Sequence, residues 1–199
     1  MRPLLGISSV IDRCNNLIGR ITMWLVLVTV LISAGNAIMR KGFNIGSNAF
    51  LEIQWYIFAA VFMLGAGYVM LKNAHVRIDF ISSRLSKRTN AWIDAAGIAV
   101  FTIPLSVIMI DLGWPLFARA WVSGEVSHNA GGLIRWPVLL LVPLGFGLLI
   151  MQAFSELIKR IAFLSGVINE PFSHDDHRSD EELMAEDLSS RADPAASRA

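Results

Sequence analysis

The sequence predicts an all-α integral membrane protein, with four transmembrane helices and short amphipathic surface helices beside them. Three observations predict it. The 199 residues are 54% hydrophobic and only 17% charged, with a positive mean hydropathy, outside the composition of soluble domains. Four stretches are long enough to cross the hydrocarbon of a bilayer, which takes roughly 20 apolar residues at about 1.5 Å of rise each. Basic residues are abundant in alternate connections and sparse in the others, as the positive-inside rule requires.

Before the first span, residues 1–20 carry Leu4, Ile7, Ile11, Cys14 and Ile18 at spacings of three and four, with Ser8, Ser9, Asp12, Arg13 and Asn15 elsewhere. This pattern predicts an amphipathic helix lying on the membrane, its polar residues turned to water. The first span follows at about 21–39. A basic stretch before an apolar run also describes a signal peptide, with Gly35-Asn36-Ala37 as a cleavage site, but the run exceeds the signal core of about 7 to 15 residues.

The second span, about 53–71, opens at Glu52, which reads either as a carboxylate favoured by the N-terminal end of the helix or as an ion site. Ala59, Ala60, Ala66 and Gly67 form a strip of small residues along it, which lets another helix approach closely. That pattern leaves open whether the approaching helix is internal or belongs to another polypeptide. In the middle connection, Ile78, Ile81 and Leu85 share a helical face beside Arg77, Arg84 and Arg88; the alternatives are a second surface helix contacting lipid phosphates or continuation of the span into a polar loop. His75, Arg77 and Asp79 follow the span directly and can either fix its turn into this connection or remain solvated.

The third span, about 92–112, contains Pro104 and has an uncharged core, 95–110, bracketed by Asp94 and Asp111; it either kinks or sets those carboxylates at the two headgroup levels. The connection after it mixes Trp114, Phe117 and Trp121 with Arg119, Glu125, Ser127, His128 and Arg135. It reads either as a docking surface for a partner or as aromatic anchors at the headgroup level. The fourth span, about 136–155, holds Pro137, tolerable in a first turn, and Pro143, which bends a helix unless neighbours satisfy the freed carbonyl. These spans form the membrane domain, 21–168. Residues 169–199 hold nine acids and almost no aromatics and predict a disordered, acidic cytoplasmic tail.

Orientation follows from the Lys and Arg counts. Ten lie in the N-terminal segment, the middle connection and the stretch after the last span, against four (Arg40, Lys41, Arg119, Arg135) in the other two connections. Both termini are therefore expected on the cytoplasmic side, and the first and third connections on the periplasmic or outer side. Up to residue 168 there are 14 basic and 7 acidic residues, a balance that suits anionic lipid and gives no reason to invoke nucleic acid. Cys14 is the single cysteine, so no internal disulfide forms.

Chemistry is scarce in the spans. His75 and His128 lie in connections and His174 and His177 in the tail, so a bis-histidine haem has no ligands. No metal cluster, nucleophile with base, or phosphate-binding glycine loop is present, and no cofactor is expected. Three classes remain in view: a subunit of a larger transporter, a self-sufficient small transporter acting as a homo-oligomer, and a membrane enzyme, the last being the least supported.

The residues also resemble a known family. Glu52-Ile53-Gln54-Trp55-Tyr56, then Gly65-Ala66-Gly67, then His75-Val76-Arg77-Ile78-Asp79-Phe80 resemble the DctQ-like small membrane subunit of tripartite ATP-independent periplasmic (TRAP) transporters. The resemblance covers about 11–161. Gly124-Glu125-Val126-Ser127, Gly131-Gly132, Trp136, Pro143 and Gln152 are similar to the branch associated with organic-acid, mannitol-type and chloroaromatic uptake. The resemblance implies two protein partners, a large membrane subunit driven by sodium and a periplasmic substrate-binding protein. It implies for this chain a bacterial inner-membrane location, a scaffold role and part of the docking surface; the residues read above then stand as candidates, Glu52, Ala59, Ala60, Ala66, Gly67, His75, Arg77 and Asp79 for the subunit interface or its support, and Arg119, Glu125, Ser127, His128 and Arg135 for docking.

Overall fold

The computed structural model describes residues 2–44, 46–73 and 85–168. Four helices build it: α1 (Arg2–Phe43), α2 (Asn48–Leu71), α3 (Lys87–Ser123) and α4 (Trp136–Leu164). Each is long and apolar enough to cross a membrane, and among the described residues no strand forms. The all-α, four-span fold predicted from composition is the fold observed.

The helices outrun the spans counted from uncharged residues. At 42 residues, α1 is about 63 Å long, twice the hydrocarbon thickness. The amphipathic N-terminal stretch is helical, but it continues unbroken into the first span instead of forming a separate helix. No proline interrupts it. Its polar stripe also finds partners within the protein: Ser8 and Asn15 are buried against α4, while Ser9 and Arg13 stay exposed. The expectation that this whole polar face meets water is thus corrected.

In α3, Ser86 caps the first turn by accepting from the Thr89 amide at 3.1 Å. Pro104 is met by a π-helical turn, Ile98–Thr102, in which the Ile103 amide donates to the Ile98 carbonyl five residues back. Widening the helix just before a residue without an N–H accommodates the missing bond. Gly124, at φ 62°, ends the helix. In α4 the helix runs through the buried Pro143, and Gly113 of α3 makes room for Val142 and Pro143.

α4 is the hub, packing against α1, α2 and α3, while α1 and α2 also pack on each other. Close approach depends on small residues. A Cβ on Gly145 of α4 would fall on the backbone of Met63 in α2, so these two helices touch almost backbone to backbone. The buried apolar residues are few and mostly small, including Ala91, Ala95, Ala120, Ala153 and Ala162. Large apolar side chains point outward instead, with Trp55 76% and Phe101 73% exposed. Such a surface has an apolar solvent, the lipid.

The possible surface helix around Ile78 and Ile81, the cluster of His75, Arg77 and Asp79, and the tail at 169–199 lie outside the described residues.

Candidate functional site

Two polar clusters organise the domain, one at each end of the bundle. The first joins α2 to the connection between α3 and α4. Asn48, Glu52 and Tyr56 recur every four residues and so share one face of α2. All three bind that connection: Asn48 Nδ2 donates to the Ala130 carbonyl at 3.1 Å and the Tyr56 hydroxyl to the Ile134 carbonyl at 3.2 Å. Glu52 is the centre. Its Oε1 accepts from Ser127 Oγ and, at 2.8 Å, from Asn129 Nδ2, while Oε2 accepts from the Leu133 amide at 2.7 Å.

Glu52 is therefore a clamp on a distant loop, which corrects the expectation that it serves its own helix end. It is buried, and a buried carboxylate is tolerated because three donors reach it. The loop is self-closed as well. Ser127 and Arg135 amides donate to Leu133 and Glu125 carbonyls, each at 2.9 Å, around an antiparallel bridge between Val126 and Ile134. Beneath it Trp121 packs edge-on against Trp136 with centroids 4.6 Å apart, and Phe117 joins them to Trp114. The aromatics predicted as anchors thus form a connected ladder from α3 to α4.

Of the residues expected near a docked partner, Ser127 is taken up by the clamp. Arg119 and His128 are exposed, and Glu125 pairs with Arg135. Their side chains are 39% and 40% exposed, so the pair is worth only about 0 to 1 kcal/mol and can exchange partners cheaply. Arg119, Glu125 and Arg135 line an open cleft of ≈ 800 Å³ with Leu116, Val122 and Leu139.

The second cluster is one that the sequence pattern did not reveal. Ser8, Asp12 and Asn15 of α1 face Gln152, Ser155, Glu156 and Lys159 of α4. Ser8 and Ser155 hydroxyls meet at 2.7 Å, Ser155 donates to Asp12 Oδ1 at 2.7 Å, and Asn15 Nδ2 donates to Gln152 Oε1 at 2.8 Å. Gln152 Nε2 donates in turn to Asp12 at 2.9 Å and to Glu156 at 3.2 Å. Lys159 pairs with both Asp12 and Glu156; Arg160 pairs with Glu156 and reaches Asp94 of α3 at 3.4 Å.

Asn15, Gln152 and Ser155 are fully buried, and Glu156 and Arg160 nearly so. The sequence does carry a signal, in matched polar stripes, 8-12-15 on α1 and 152-155-156-159 on α4. A span that closes at Ser155 stops one residue before its charges begin, and so hides the second stripe.

Gly67 sits beside this seam, buried where a Cβ would meet Asn15 and the Leu148 carbonyl. The strip of small residues on α2 thus has an internal partner at Gly67, while Ala59, Ala60 and Ala66 remain half-buried. Among the described residues no His, Cys, Asp and Glu group is arranged to hold a metal ion.

One cluster ties α2 to a loop and the other ties α1 to α4, an arrangement that holds these elements in register. Comparison with curated proteins and with solved structures gives no match. The family profile described as "Tripartite ATP-independent periplasmic transporters, DctQ component" matches residues 29–163, which takes in all of the Glu52 clamp and most of the four-helix domain. That family is one of transporter components, not enzymes, and its match over most of the chain agrees with a four-span inner-membrane fold: the chain belongs to the DctQ component family of tripartite ATP-independent periplasmic transporters.

Proposed function

We propose that this chain is the fixed scaffold of a sodium-coupled, binding-protein-dependent importer of an organic acid or related small solute. It packs against the large membrane subunit, which carries the substrate, and offers part of the surface on which the periplasmic binding protein docks. Both termini face the cytoplasm in this reading, so the Glu52 clamp faces the periplasm.

The observation that carries the proposal is the internal use of the charges. A transporter acting alone needs a polar path or an ionisable group free to change partners within the bundle. Here Glu52 is held by three donors from a loop, and Asp12, Glu156, Lys159 and Arg160 pair among themselves. Such pairing holds helices in register. The docking role draws on the cleft at Arg119, Glu125 and Arg135, where Arg119 is exposed and the Glu125–Arg135 pair is partly exposed.

Reconstitution into vesicles tests the scaffold. The chain alone takes up no solute. With the large subunit and the binding protein, uptake appears and depends on a sodium gradient. Uptake by the isolated chain would overturn the reading. For docking, Glu125→Lys lowers uptake while the membrane complex purifies in normal yield; unchanged uptake at every binding-protein concentration removes the docking role and leaves the scaffold standing.

A further inference from the structure

We infer that the cleft between the C-terminal end of α1 and the N-terminal end of α2 holds the phosphate of a membrane phospholipid. The cleft measures ≈ 730 Å³ and is lined by Ser33, Asn36, Arg40, Lys41, Asn44 and Gln54, together with Ala37 and Leu51. Every polar residue there offers a donor, two are cations, and no carboxylate lines it. Among the described residues neither cation forms an ion pair. Gln54 Nε2 is buried and has no hydrogen-bond partner. A buried donor without an acceptor is costly, and rotation of the Gln54 side chain, which lines the cleft, brings that donor to an anion there.

The rival explanation is that Arg40 and Lys41 only neutralise the negative end of the α1 dipole. That accounts for two cations in a last turn. It does not account for the orphaned Gln54 amide, which lies on the other helix, or for Asn36 and Asn44, which line the same space.

The surroundings select a lipid over a soluble anion. The face of α1 that bears Ser33, Ala37 and Arg40 continues toward the middle of the bundle as Val26 and Val30; the face of α2 that bears Leu51 continues as Phe58 and Phe62. All four are exposed, and the two phenyl rings stand 4.7 Å apart. Donors above an apolar track match a phosphate above an acyl chain, with the cations held at the headgroup level.

The test uses the full-length chain, delipidated in detergent and titrated with dioleoylphosphatidylglycerol while adducts are counted by native mass spectrometry. One lipid is retained by the native chain. R40Q/K41Q weakens that binding about tenfold, and Q54L weakens it about threefold, as expected for losing charge-assisted and single neutral donors respectively. R40K/K41R restores it, and R119Q at the other cleft leaves it unchanged.

Dioleoylglycerol, which has the chains without the phosphate, is not retained, and millimolar inorganic phosphate does not displace the lipid. Equal retention by R40Q/K41Q and the native chain overturns the site. Equal retention of dioleoylglycerol overturns the phosphate, and displacement by inorganic phosphate overturns the lipid. If R40Q/K41Q does not fold, Q54L decides: unchanged binding in that variant overturns the site.

Discussion

Gln152 of α4 donates its side-chain amide to Asp12 of α1 at 2.9 Å across 140 residues of chain. The same amide reaches Glu156, and its oxygen accepts from Asn15. One neutral side chain thus separates two carboxylates and joins two helices.

Replacing it therefore has a defined cost. Q152L removes the donor to both carboxylates and the acceptor for Asn15 while keeping the volume. Interhelical hydrogen bonds in membranes average only about 0.6 kcal/mol. Leaving buried polar partners unsatisfied costs about 1–3 kcal/mol, and this second effect governs at the seam because Asn15 is fully buried. We expect a loss of about 2 kcal/mol, read from thermal or denaturant unfolding in detergent. Q152E, which sets a third carboxylate between two, is the more damaging at neutral pH. A variant as stable as the native chain would show the seam to be dispensable.

Glu52 is checked by a nearly isosteric change. E52Q keeps the shape but turns an NH2 toward one of three donors, so the loop at 124–135 loses at least one bond and gains a repulsion. Amide exchange at Ser127 and Leu133 rises about tenfold, equivalent to about 1.4 kcal/mol, with the helices unaffected. Exchange that rises equally throughout the chain would mean that Glu52 supports the whole fold and not the loop.

Gly145 and Gly147 lie two residues apart on α4 and predict opposite outcomes. A Cβ at Gly145 meets the Met63 backbone, whereas nothing lies within 4 Å of one at Gly147. G145A is destabilising by about 1–3 kcal/mol because backbone cannot yield as a side chain can. G147A is neutral or slightly stabilising through helix propensity. Equal effects in the unfolding measurement would contradict the close α2–α4 approach.

Orientation is read from reporter fusions. Reporters near Asn44 and Ser127 show the periplasm, and those near Ser83 and Ser173 the cytoplasm, because ten basic residues lie on one side and four on the other. A periplasmic signal at Ser83 inverts the topology.

Arg77 and Asp79 are proposed to fix the exit from the second span and so the face shown to the large subunit. R77A/D79A then loses that subunit on co-purification. A solvated pair worth about 0 to 1 kcal/mol retains it, together with full uptake.

The four spans and their helical nature were legible in the sequence, because uncharged runs such as 21–39 and 136–155 have no stable alternative in lipid. The position of Glu52, a carboxylate at the opening of the second span, was legible too, though only as a helix-end charge. Its partners were not, since Ser127, Asn129 and the Leu133 amide lie some 75 to 81 residues away and no local period relates them to it.

The seam shows the same division. Helical spacing alone put Ser8, Asp12 and Asn15 on one stripe, and a stripe of that kind satisfies its hydrogen bonds equally well with water or with another helix. Only the packing of α1 on α4 decides between them, because it brings a second stripe, Gln152, Ser155, Glu156 and Lys159, into register. Sequence determined which residues are apolar enough to enter the membrane; the tertiary structure decided which polar residues find their partners inside the protein, since hydrogen bonds between distant helices depend on distances of about 3 Å that no one-dimensional pattern specifies.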